Sequence, residues 1–123
     1  MMPWGTLRIL SWLLLTLVGL ANQGPLGLTF PPGTEVRLLS PDLKTLYAAW
    51  RIQDGRLLPL SPPLPPRAGQ EVRLLVGEPG KKPVTLEGVA DKGDIWILLE
   101  KDRVSFLKLL KGLGLSPPER LWP

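Results

Sequence analysis

Gly33-Thr34-Glu35-Val36-Arg37-Leu38-Leu39 recurs thirty-six residues later as Gly69-Gln70-Glu71-Val72-Arg73-Leu74-Leu75. In each copy, Val and Leu alternate with Glu and Arg. Successive side chains of a β-strand point to opposite faces, so this alternation predicts two half-buried strands. Both copies follow proline-bearing punctuation, Pro31-Pro32 and Pro65-Pro66. Two copies are too few for a stacked repeat array. They predict instead two pseudo-repeated halves, 33–60 and 69–100, packed against each other.

Working outward, each half reads as a strand meander. Ser40-Pro41-Asp42-Leu43-Lys44 is a turn, since proline presets φ and the Ser and Asp side chains bond the local backbone. A strand over 45–52 follows, with Leu46, Ala48, Trp50 and Ile52 on one face and Tyr47, Ala49, Arg51 and Gln53 on the other. Asp54-Gly55 is a strong signal for a two-residue hairpin loop, and 56–60 returns as a third strand. The proline-rich stretch Ser61-Pro62-Pro63-Leu64-Pro65-Pro66 is a stiff connector. The second half predicts strands over 71–76, 84–90 and 95–100, the last two joined through Asp91-Lys92-Gly93-Asp94.

Ile95-Trp96-Ile97-Leu98-Leu99 is apolar on both faces, so it calls for a cover. An amphipathic helix over 103–113 supplies one, with Asp102 as its cap and Gly112 or Gly114 at its end. Phe106, Leu107, Leu109, Leu110 and Leu113 fall on one arc, opposite Ser105, Lys108 and Lys111. The expected fold is therefore mainly β: an antiparallel meander of six strands, a small sandwich or partly open barrel, with one C-terminal amphipathic helix. The β domain spans 33–115, preceded by an extended lead-in over 22–32 and followed by a proline-rich tail over 116–123.

The N-terminus carries an address. Arg8 precedes an apolar run from Ile9 to Ala21 that ends on the small residues Gly19 and Ala21. That order predicts a secretory signal peptide over 1–21, cleaved after Ala21. Arg8 on one side and Asn22-Gln23-Gly24-Pro25 on the other hold the run short of the roughly 17–25 apolar residues of a spanning helix. The expected location is extracytoplasmic, periplasmic or secreted; a retained N-terminal anchor is the alternative. With no cysteine, the chain has neither a disulfide framework nor a site for lipid attachment through sulfur.

Composition narrows the chemistry. The net charge of +4 is interleaved, as in Glu35/Arg37 and Glu100/Lys101/Asp102/Arg103, whereas a nucleic-acid footprint clusters its positive charge. No nucleic-acid partner is expected. Without histidine the usual general base is missing, and without histidine or cysteine so are the ligands of structural zinc. No cofactor, metal or catalytic residue is expected. Asp91 and Asp94 read as turn residues, and Ser105 with Lys108 as a solvated helix stripe. Gly77-Glu78-Pro79-Gly80-Lys81-Lys82 lacks the spacing of a phosphate-binding loop. The remaining candidate contact is Leu121-Trp122, which either docks on a partner or folds back over the domain.

The expected function is a non-catalytic binding or scaffolding module of the cell envelope. Its partner would be an envelope protein or peptide, contacted along sheet edges or through the tail. A small envelope enzyme is the first alternative, and it requires a concave pocket collecting acids such as Asp91, Asp94 and Glu100. The second is a membrane-associated protein held by an uncleaved N-terminus or by the basic helix.

Overall fold

The computed structural model describes residues 26–123; the expected signal peptide and the first residues of the lead-in lie outside them. Seven strands run antiparallel: β1 (Glu35–Leu39), β2 (Leu46–Gln53), β3 (Arg56–Pro59), β4 (Glu71–Gly77), β5 (Val84–Asp91), β6 (Asp94–Leu98) and β7 (Arg103–Ser105). They form one curled half-barrel sheet in the order β3-β2-β1-β4-β5-β6-β7, and one short helix, α1 (Phe106–Gly112), follows. The expected mainly-β, partly open barrel is what the chain adopts.

The two echoed segments become β1 and β4, and they pair with each other, Val36 opposite Val76 and Leu38 opposite Leu74. Val36, Leu38, Val72, Leu74 and Val76 are fully enclosed on the concave face. Arg37, by contrast, is exposed and Arg73 half-exposed. Each expected half supplies three strands, β1–β3 and β4–β6, while β7 and α1 lie beyond residue 100. A structural repeat relating the two halves is not shown.

Both predicted tight turns form. Asp54 and Gly55 take φ of 53° and 73°, and Lys92 and Gly93 take 48° and 80°. Two successive positive φ values give the turn whose twist matches the flanking strands.

Past β6 the chain departs from the expected meander and helix in two ways. The segment expected to open a helix at 103 pairs with β6 as a seventh strand, Leu98 facing Arg103 and Trp96 facing Ser105. Asp102 and Ser105 are both good cap residues. The ladder to β6 satisfies the backbone of the intervening residues, so the helix starts at Phe106 with Ser105 as its cap. The Ser105 hydroxyl accepts from the Lys108 N–H at 3.2 Å and donates to the Asp94 carboxylate. Asp94 Oδ1 also accepts from the Leu107 N–H at 3.3 Å. Asp94 thus fastens the start of the helix to the start of β6.

The helix also covers one face of the apolar run 95–99 and leaves the face of Trp96 and Leu98 uncovered. Phe106, Leu107, Leu109 and Leu110 join the core that contains Ile95 and Ile97, so α1 sits over the concave face. Trp96 and Leu98 remain on the outer side. Leu98 is 40 % exposed, and the Arg103 guanidinium lies 5.7 Å from the centre of the Trp96 ring.

The described part of the lead-in is built into the fold. Leu28 and Phe30 are buried, and the Phe30 ring meets Phe106 edge-on at 5.8 Å. One Glu78 oxygen accepts from the N–H groups of Thr29 at 3.1 Å and Phe30 at 2.9 Å. A buried carboxylate needs such donors, and here they come from the very backbone it immobilises.

Candidate functional site

The tail after α1 returns across the open side of the half-barrel. The Ser116 N–H donates to the Gly55 carbonyl at 2.8 Å, and the Leu121 N–H donates to the Gly93 carbonyl at 2.7 Å. Because the intervening strand pairs are all antiparallel, these two hairpin tips lie at opposite ends of the sheet. The tail is therefore a strap between them. Pro117 and Pro118 suit that role, because proline favours an extended path and brings no N–H that needs a partner. At Gly93 an added Cβ would lie 2.8 Å from the Arg120 Cβ and 3.0 Å from the Trp122 carbonyl oxygen, so the strap passes where only glycine leaves room.

Leu121 and Trp122, the expected partner contact, are 7 % and 6 % exposed and belong to the hydrophobic core. The contact surface of a free docking peptide is thus already used within the chain. Burying a large aromatic side chain outweighs the entropy of ordering a few tail residues, two of them already stiffened by their rings.

Between the strap and edge strand β3 runs a groove of about 550 Å³. Trp50, Leu57, Pro59, Pro117 and Leu121 supply its apolar surface, and Ser116 and Pro118 complete the strap wall. Its charged lining residues are Arg56 from β3 and Arg120 from the strap. Among the described residues neither forms an ion pair. Arg51 and Arg73, in contrast, are paired on the outer face with Glu35 at 3.0 Å and Glu71 at 3.1 Å.

The sheet edges offer little for an added strand. The Leu60 N–H donates to the Ala49 carbonyl, and Arg56 faces Gln53 across the hairpin turn. Bonded and non-bonded pairs alternate in an antiparallel ladder, which turns Leu57 and Pro59 toward the open edge. Pro59 has no N–H, leaving Leu57 as the outward donor of β3. The opposite edge, β7, is 3 residues long.

The acids named for an enzymatic alternative do not gather in this groove. Asp91 and Asp94 face each other across the β5–β6 turn, where Asp94 is committed to capping α1, and Glu100 is exposed beyond the far end of β6. Ser105 is buried as a helix cap beside an exposed Lys108. Among the described residues no three acidic, histidine or cysteine side chains are placed to share a metal ion. Asp42 does the turn chemistry expected of it: the Ser40 hydroxyl and then the Lys44 N–H donate to its carboxylate and hold its pKa below the ordinary value.

Nothing local in the sequence separates Arg56 from the paired arginines, or Arg120 from any residue of a proline-rich end. They become neighbours of one groove only because the strap returns. Leu43, Leu46, Leu58, Leu60 and Leu64 are 41–60 % exposed, all on the β2–β3 side of the sheet. The chain matches no described protein family, no curated protein and no solved structure.

Proposed function

We propose that this chain is a non-catalytic binding module that works after export, with the groove between β3 and the strap as its contact site. The observation that carries this reading is the groove's lining. It offers an apolar surface and two arginines, with no carboxylate and no lysine, and its single hydroxyl, Ser116, has no base beside it. Such a surface binds without supplying the paired nucleophile and base of group-transfer chemistry. The groove replaces the tail and the sheet edges as the favoured contact, since the tail is enclosed and β3 is blunted by Pro59. Export rests on the run from Ile9 to Ala21 behind Arg8. Among the described residues no helix is long and apolar enough to cross a membrane.

Photo-crosslinking in intact cells tests the reading. A photoreactive residue replaces Ser116 in the groove or, as control, the exposed Thr85 on β5. An adduct formed from position 116 but not from 85, on protein recovered from the extracytoplasmic fraction, is the expected result. No adduct, or equal adducts from both positions, contradicts it.

A further inference from the structure

We propose that the groove takes a small amphiphilic anion, a carboxylate carried on an apolar chain; this deepens the binding-module reading and rests on it. Two arginines line one apolar groove from separate elements, Arg56 at the start of β3 and Arg120 on the strap. Asp54 and Glu119, their nearest acids in sequence, do not line it. A guanidinium presents a planar fork of donors that matches a carboxylate, and such charge-assisted bonds are the strong ones. Two arginines that form no ion pair among the described residues, set beside an apolar surface, therefore favour an anion with an apolar body.

The floor decides what that body is. Trp50, Leu57 and Leu121 are 4 %, 8 % and 7 % exposed, so their rims form a fixed apolar surface. Pro59 withholds the N–H that an added peptide strand would use. Recognition falls to side chains, which favours a hydrocarbon chain over an extended peptide. The volume of about 550 Å³ lies within the range of small-molecule sites.

The test titrates the chain, in the form recovered from cells, with dodecanoate below its micellar concentration. Calorimetry gives stoichiometry and affinity, and tryptophan emission follows Trp50 together with Trp96 and Trp122. Dodecyltrimethylammonium carries the same tail with opposite charge, and acetate the same head without the tail. One dodecanoate per chain is expected, with both controls weaker by roughly tenfold or more. The R56Q/R120Q variant changes two exposed side chains, so its melting curve should be unaltered. Its dodecanoate affinity should fall by roughly tenfold or more. The outer-face R37Q/R73Q variant should bind as the parent does. Absence of saturable binding, equal affinity for the cationic amphiphile, or an unchanged R56Q/R120Q affinity overturns the proposal. If dodecanoate fails while position 116 still gives its specific adduct, only the ligand class is wrong and the binding-module reading stands.

Discussion

Trp122→Ala separates a structural strap from a free tail. The indole is 6 % exposed and shares a core with Leu121, Leu107 and Phe30. A buried aromatic removes about 150–250 Å² from water, which at ~25 cal/mol per Å² amounts to about 4–6 kcal/mol. That is an upper bound, because unfolded chains already hide part of their apolar surface. Measured losses for such truncations cluster at about 3–5 kcal/mol, and that is the expectation here. Folds of this size are stable by only about 5–15 kcal/mol, so the variant should be marginal. At ~4 °C or more per kcal/mol, the melting temperature should fall by about 12 °C or more. Urea unfolding followed by circular dichroism, for parent and variant, gives the difference directly. A solvated tail residue contributes within about 0.5 kcal/mol. A measured loss below about 1 kcal/mol would refute the reasoning and return Trp122 to solvent.

Three further outcomes follow from named contacts. Gly93→Ala meets both a φ of 80° and a Cβ 2.8 Å from Arg120, whereas Gly80→Ala at φ 73° meets open space. Gly80→Ala should cost about 1–2 kcal/mol by thermal unfolding, and Gly93→Ala clearly more. Glu78→Ala removes the acceptor for the Thr29 and Phe30 N–H groups. A loss of about 2–4 kcal/mol is expected, with limited proteolysis opening the chain near residue 29, while Glu78→Gln should keep part of the stability. Asp42 has its pKa lowered by the Ser40 hydroxyl and the Lys44 N–H. Its contribution is therefore present at neutral pH and is lost as pH falls through the folded-state pKa. Carboxyl NMR should place the Asp42 titration below the ordinary aspartate value, and Ser40→Ala should move it upward.

The strands were legible because their signals are local. Period-2 alternation in Glu35–Leu39 and Glu71–Gly77, with Asp54-Gly55 and Lys92-Gly93, identifies the central strand pair and both tight turns. β7 was not, because 3 residues hold too little alternation to register, and Asp102 and Ser105 are equally good helix caps. The lead-in carried a usable sign, since Leu28 and Phe30 alternate with exposed Gly27 and Thr29. Glu78 carried none, as a glutamate in a glycine- and proline-rich loop looks solvated until the lead-in's N–H groups arrive. The groove was least legible of all. Arg56 and Arg120 are 64 residues apart, and only the strap's return to Gly93 makes them neighbours of one site.

The strap is one wall of the groove, so its return to Gly93 decides whether the groove exists. Amide hydrogen exchange tests it most directly. The Leu121 N–H, 2.7 Å from the Gly93 carbonyl on a buried residue, should exchange as slowly as Ile95 and Ile97 in β6. Exchange of Leu121 at the rate of an unstructured peptide, beside a protected β6, would contradict the strap and remove the groove with it.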